Sequence, residues 1–240
     1  WNREIINKMA KGLVSLCKQR GVEFLQGRAR LFNNHNLILN DTDILEFDYC
    51  ILATGSQPVC PPLFSQVGKR ILTSTTALEL EEIPENLLVV GGGYIGLEMG
   101  TVYASLGSRV TVVEMTGELL PGVDRDLVRV LLSKFKTKFK DIHLNTQVVS
   151  CELDGNQVAV QFDGPEKLKS NLYDRVLIAV GRKPNTVDIG LEATKIKTDE
   201  KGFIYVDKKF QTAEPSIFAI GDVIGGAMLA HKASAEGKAV

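Results

Sequence analysis

The chain has 240 residues, 28 basic and 29 acidic side chains, and 44% apolar against 24% charged residues. That length can bury one large core or two smaller ones, and the near-even charge removes the electrostatic motive for nucleic acid or an anionic membrane as partner. Cys17, Cys50, Cys60 and Cys151 form neither a CxxC nor a CxxxxC pair, which excludes a local redox dithiol and a zinc knuckle.

The first helix is predicted over residues 2–20, with Ile5, Ile6, Met9, Leu13, Leu16 and Cys17 on one face and Gly21 as its stop. Short antiparallel strands should follow at 22–25, 29–32 and 37–39, with His35 as a solvated turn residue. Residues 47–52 read as a buried strand that ends in the small-residue turn Ala53, Thr54, Gly55, Ser56. Such a turn lets a ligand approach the backbone closely, although an ordinary strand end looks the same. Pro61 and Pro62 suggest an extended linker, and the hydroxyls of Ser74, Thr75 and Thr76 can cap a short helix at 77–82.

The most informative stretch runs from Leu87 to Glu98. Four apolar residues lead into Gly91, Gly93 and Gly96 in a G-x-G-x-x-G frame, followed by a helical pattern ending at Gly107 and a second apolar run from Val110 to Val113. That is a strand, a tight turn, a helix and a parallel strand. Gly91 permits the turn, Gly93 admits a pyrophosphate, and Gly96 lets the helix pack on the strand. Helical N–H groups then face the phosphates. Glu114 closes the second strand 18 residues after Gly96, where an acid accepts hydrogen bonds from a ribose diol.

Beyond it, Asp124 should cap a helix running to about Lys140, with Asp124 and Asp126 at its start and Lys134, Lys136, Lys138 and Lys140 at its end. Dipole compensation explains those lysines without nucleic acid. Strands are predicted at 142–144 and 146–153, then a hairpin through Asp154, Gly155 and Asn156 into 158–162. A further buried strand covers 173–180, short strands cover 203–207 and 216–220, and Met228 to His231 open a last helix. Asp222, at the end of a buried strand among glycines, can bind a sugar hydroxyl or simply form a turn.

Five segments in order resemble the flavoprotein pyridine-nucleotide-disulfide oxidoreductases: 53–56, 91–98, Gly181-Arg182-x-Pro184-Asn185, 218–222 and 228–232. The last is similar to the dihydrolipoamide-oxidising branch of that family. The resemblance implies an α/β fold, a Rossmann-like NAD-binding domain (77–190) inserted into a partial FAD-binding domain (1–76 and 191–240). It implies NAD contacts at Gly91, Gly92, Gly93, Tyr94, Ile95, Gly96, Leu97, Glu98, Glu114, Val148 and Gly181. Glu98 would lie near the nicotinamide, Val148 near the adenine, and Tyr94 occupies a position where some relatives carry an aromatic gate. It implies FAD contacts at Ala29, Thr54, Gly55, Ser56, Asp222, Met228, Leu229, Ala230 and His231.

The implied reaction oxidises dihydrolipoamide, carried on an acyltransferase subunit of a 2-oxo acid dehydrogenase complex, through an enzyme disulfide and FAD to reduce NAD. The implied enzyme is a homodimer. A transhydrogenase, a mercuric reductase relative or a non-catalytic NAD-binding redox module remain alternatives. The family's N-terminal flavin loop, its CxxxxC pair and its His-Pro segment have no counterpart among these residues. The chain therefore reads as an internal fragment without catalytic residues of its own and without turnover by itself. A metal site is not expected. No membrane-length apolar run or signal-peptide pattern occurs, so the expected setting is cytoplasmic, with Cys17 and Cys50 as buried thiols.

Overall fold

A computed structural model of the chain describes residues 2–79, 81–165 and 172–240. Its α-helices are α1 (Asn2–Gln19), α2 (Tyr94–Ser105), α3 (Arg125–Lys138) and α4 (Ala230–Ala239). The first strands are β1 (Ala29–Leu31), β2 (Asn36–Leu39), β3 (Asp43–Glu46), β4 (Cys50–Leu52), β5 (Ser56–Pro58), β6 (Ile71–Thr73), β7 (Asn86–Val90) and β8 (Arg109–Val113). The rest are β9 (Asp141–His143), β10 (Gln147–Asp154), β11 (Gln157–Asp163), β12 (Leu172–Tyr173), β13 (Arg175–Ile178), β14 (Arg182–Pro184) and β15 (Ile217–Ala219). The chain divides into two compact units, 55–185 and 1–54 with 186–240. Among the described residues no helix is long and apolar enough to cross a membrane.

Unit 55–185 is built on a five-stranded sheet in the order β6-β13-β7-β8-β9, in which every neighbouring pair is parallel. Successive side chains of a strand point to opposite faces, and both faces here are covered. Leu87, Val89, Val110, Val112 and Leu177 pack with Leu97 and Tyr103 of α2 and with Val128 and Phe139. Leu88, Val90, Val113, Val176 and Ile178 pack with Val148 and Cys151 of β10, Val158 and Val160 of β11, Phe64 and Val67. A sheet buried on both sides reads as continuous apolar runs rather than alternation, which is the pattern of 87–90 and 110–113.

Polar groups inside this unit are tied. Tyr103 donates its hydroxyl to the Ala77 carbonyl at 2.8 Å. Burial raises the Tyr173 hydroxyl to about 12, with Asp141 adding to the shift against a hydrogen bond with Thr111. Asp174 separates β12 from β13. Its carboxylate accepts the Asn86 N–H at 2.8 Å and Gln157 Nε2 at 3.1 Å. Burial pushes that carboxyl up, but these bonds and Arg70 outweigh it and leave its pKa lowered.

The other unit holds the antiparallel sheet β1-β2-β3, the parallel pair β15-β4, and helices α1 and α4. Leu31, Leu52, Ile196, Ile204, Ile217, Ala219 and Val223 form its core. Helix α1 has the predicted apolar stripe, yet Met9 is 68% and Leu13 65% exposed.

Several sequence expectations are corrected. Residues 22–25 form no strand, and β4 begins only at Cys50, where the chain comes alongside β15. The proposed linker after Pro61 is instead 3₁₀ backbone within Pro62–Arg70, interrupted at Gly68 (φ +65°), leading into β6 at the sheet edge. Of the helix expected at 77–82, the described residues form one 3₁₀ turn, Thr76–Glu79, whose Thr76 Oγ1 accepts the Thr73 N–H at 2.9 Å, and residue 80 lies outside the described residues. Residues 173–180 split at Asp174, where the chain passes from the sheet of β11, which β12 joins, to the sheet of β6 and β7, which β13 joins. Residues 203–207 contribute a single bridge, Thr198 to Ile204, rather than a strand. Asp124 stands at the N-cap of α3 but its side chain makes no capping bond. Cys17 and Cys50 are half-buried, and the fully buried thiol is Cys151. Burial, with Cys60 and Glu152 nearby, raises Cys151 to about 11.

Candidate functional site

Strand β7 ends in the turn of Gly91, Gly92 and Gly93, and α2 starts immediately after it. Gly91 has φ +112°, and a Cβ there would strike the Ala179 carbonyl of the chain following β13. A Cβ on Gly96 would strike the Gly91 carbonyl and Val89, so the helix seats directly on the turn. Gly93 is different: nothing lies within 4 Å of its missing Cβ. That leaves an open approach to the head of α2, whose first turn carries no acid. The first N–H groups of any helix lack partners within it and favour an anion. A pyrophosphate fits this geometry.

Glu114 leaves β8 beside the same turn and is only 8% exposed. Its Oε2 accepts the Gly92 N–H at 2.7 Å. Its Oε1 accepts the Thr116 N–H at 2.8 Å, with Thr116 Oγ1 also at 2.8 Å. A carboxylate has about four acceptor positions, so capacity remains for a hydroxyl donor. Next to Glu114 lies a cleft of about 310 Å³ lined by Met115, Asn145, Gln147, Asp163, Gly164 and Pro165. The Asn145 N–H donates to the Thr116 carbonyl at 2.9 Å and the Thr146 N–H to the Glu114 carbonyl at 2.9 Å, which fixes the cleft against the acid.

The expected NAD residues fall into distinct settings. Gly93, Tyr94, Ile95 and Glu98 are exposed or half-buried at or near the head of α2, whereas the Leu97 side chain is buried in the core beneath it. Gly92 is buried, and its N–H is committed to Glu114. Val148 packs in the core on the far face of the sheet, 6% exposed, while its neighbour Gln147 lines the cleft. Gly181 is exposed with φ +130°, just past the end of β13, and its carbonyl accepts the Val59 N–H at 3.0 Å.

In the same unit, Gly55 has φ +72° with open space around it. Ser56 is gripped by Arg182, whose Nε reaches Ser56 Oγ at 2.7 Å and whose Nη2 reaches the Ser56 carbonyl at 2.7 Å. In the other unit, β4 and β15 run parallel with Leu52 opposite Ala219. Thr54 and Asp222 therefore follow the carboxyl ends of adjacent parallel strands, the place where open α/β sheets take ligands. Gly221, φ +76°, makes the turn before Asp222. Its N–H donates to Glu236 Oε2 of α4 at 2.7 Å, and Lys232 Nζ pairs with Glu236 Oε1 at 2.8 Å. Met228 and Leu229 precede α4, and Ala230 and His231 open it. Ala29 belongs to β1, in the antiparallel sheet.

Sequence reasoning missed the cleft residues Met115, Asn145 and Gln147, the clamp of Arg182 on Ser56, and Glu236. The cleft unites three segments distant in sequence, at 115, 145–147 and 163–165, and no local pattern signals that. Arg182 lay within a quoted motif. Among the described residues no group of histidine, cysteine or acid side chains could hold a metal.

The parallel sheet with α2 and α3 on one face and β10 and β11 on the other, its glycine turn and the acid beside it define a Rossmann-like nucleotide-binding α/β protein. The family model for pyridine nucleotide-disulphide oxidoreductases matches residues 3–237, and the chain belongs to that family. Among curated relatives, the dihydrolipoyl dehydrogenase of Vibrio parahaemolyticus is 42% identical over 99% of this chain and 50% of its own length. That of Geobacillus stearothermophilus is 39% identical, over 99% of this chain and 51% of its own. The chain thus spans about half the length of the curated relatives it matches. Among solved structures, the HOCl-induced flavoprotein disulfide reductase of Escherichia coli, as its Cu(II) complex, superposes with a TM-score of 0.89 at 31% identity. That match covers 99% of this chain and 54% of the reductase.

Proposed function

We propose that this chain is the NAD-handling part of a cytoplasmic flavoprotein dihydrolipoyl dehydrogenase, acting on dihydrolipoamide carried by an acyltransferase subunit of a 2-oxo acid dehydrogenase complex and working as a homodimer. The observation that carries the reading is the buried Glu114 carboxylate bonded to the Gly92 N–H at the head of α2. The proposed division is 77–190 for NAD and 1–76 with 191–240 for the flavin.

When bound, FAD relays electrons from the enzyme's dithiol and NAD accepts the resulting hydride. The chain's own residues bind and orient. Gly93 leaves the helix head open, and the backbone of 93–96 holds the pyrophosphate by directed N–H groups and dipole. Glu114 accepts from the adenosine ribose, and the neighbouring cleft takes the base, with the Gln147 side chain rather than that of Val148 against it. Tyr94, Glu98 and Gly181 lie toward the nicotinamide. Asp222, held by the Gly221 turn, accepts hydroxyl donors of the flavin's ribityl chain. Ala29, Thr54, Gly55, Ser56, Met228, Leu229, Ala230 and His231 complete the flavin contacts. The α4 N–H groups near 230 and 231 would favour negative charge on a reduced ring.

A buried carboxylate beside the ribose repels a 2′-phosphate. NAD should therefore bind more tightly than NADP when both are titrated by calorimetry. Equal or tighter NADP binding refutes the reading. The full-length protein should reduce NAD with dihydrolipoamide, and activity confined to another disulfide would shift the assignment within the family.

A further inference from the structure

Arg125 is the first residue of α3, where a helix dipole disfavours a cation. Its guanidinium nonetheless folds back onto the loop 114–124. Nη1 donates to the Leu119 carbonyl at 3.0 Å, Nη2 to the Leu120 carbonyl at 2.6 Å, and Nε to the Val123 carbonyl at 2.9 Å. Nη1 also pairs with Glu118 Oε2 at 2.9 Å. A planar fork of five donors suits such a cluster of acceptors, and an ammonium cannot reproduce it.

The loop is also strained. Leu120 has φ +51°, and a non-glycine residue holds a left-handed backbone only where neighbours over-determine it. Its N–H donates to the Gly92 carbonyl at 2.9 Å, while its own carbonyl accepts from Arg125 Nη2. Leu119, 3% exposed, fills the space beside Gly92, where an added Cβ would lie 2.5 Å from its Cδ2. Gly92 is therefore bound to this loop twice: its N–H goes to Glu114 and its carbonyl takes Leu120. The link returns to the acid through Thr116, whose Oγ1 lies 3.0 Å from the Glu118 carbonyl and 2.8 Å from Glu114 Oε1.

We propose that Arg125 is a positioning residue for dinucleotide binding: by tying the carbonyls of Leu119, Leu120 and Val123 it holds the left-handed turn, keeps the loop latched to Gly92 and aims Glu114. The inference rests on the reading of Glu114 as the ribose acceptor.

A double-mutant cycle tests it, with Arg125→Met and Glu114→Gln made singly and together in the full chain and NAD titrated by calorimetry. Arg125→Met should weaken NAD about ten-fold in the native background and less than two-fold when Glu114 is already replaced, the non-additivity of groups acting as one. It should also narrow the preference for NAD over NADP, which a general loss of fold would not do. Arg125→Lys, retaining part of the carbonyl contacts, should fall between and serves if Arg125→Met does not fold. Equal losses in both backgrounds, or no loss in the native one, overturn the role of Arg125 while leaving Glu114 in place. If Glu114→Gln itself leaves NAD binding unchanged, the ribose reading fails and this inference fails with it.

Discussion

The two units bury their apolar residues in contrasting ways. In unit 55–185 the central strands are sealed on both faces, and Leu87, Leu88, Val89, Val110 and Val112 have no exposed surface. In the other unit, α1 carries an apolar stripe of the same quality, yet Ile6, Met9 and Leu13 are more than half exposed. Amphipathic spacing is enough to specify a helix. It does not supply the surface that buries it, and most of a helix's stability comes from that surface.

The sharpest test of the contrast compares glycines. Gly91→Ala forces a Cβ against the Ala179 backbone at a φ of +112°, and should cost about 3 kcal/mol or more in urea unfolding. Gly221→Ala, in the other unit, meets only the Ala233 methyl at 3.2 Å with φ +76°. Its cost should stay near 1–2 kcal/mol. Equal costs would erase the distinction between a turn locked by backbone and one packed against a side chain.

Asp174→Asn should cost roughly 1 kcal/mol, after allowing for partial solvent screening, since the amide keeps one of two hydrogen bonds and loses the charge. The sign with pH is fixed by the lowered carboxyl. Its contribution is present above the unfolded carboxylate value of about 3.9 and disappears as pH falls through the folded value. The gap between native and variant unfolding free energies should therefore be constant from about pH 6 to 8 and close in acid. A gap that widened in acid would contradict the assignment.

The smallest effects belong to α1. Met9→Ala and Leu13→Gln, at residues 68% and 65% exposed, should each change stability by less than about 0.5 kcal/mol. In contrast, Leu88→Ala should cost about 2–5 kcal/mol. A large loss on replacing Leu13 would mean that this helix face is covered in solution.

What could be read in advance follows the same division. The strand, glycine turn, helix and strand of 86–113 were legible because each rule acts within a few residues: apolar runs, positive φ, capping. Glu114 was legible by its distance from the glycines. Its bond to Gly92 was not, because Gly92 reaches it only once β7 and β8 pair. Residues 22–25 and 203–207 have strand-like composition, but a strand needs one neighbour along its length: the N–H groups of Ile204, Tyr205 and Asp207 go to Val223, Lys197 and Gln211 in separate segments, and 22–25 joins no ladder. The splitting of 173–180 turned on a change of sheet, β12 pairing with β11 and β13 with β6 and β7, which no local pattern announces. Nothing local in the sequence marks Arg125, and only the carbonyls brought around it by the loop with Leu120's left-handed backbone reveal its use.

The order β6-β13-β7 in the parallel sheet bears on how the protein is made. On a ribosome, β6 and β7 emerge early, but the strand that fills the place between them arrives only with Arg175–Ile178. Until then each presents an open edge of N–H and carbonyl groups, a template for pairing with another nascent chain. The long loop that must close before β13 is rewarded makes this step slow. Synthesis at high density, or a stall between β11 and β13, should therefore favour aggregation, and holdase chaperones that shield bare edges should raise the yield of folded protein more than any change at the nucleotide turn.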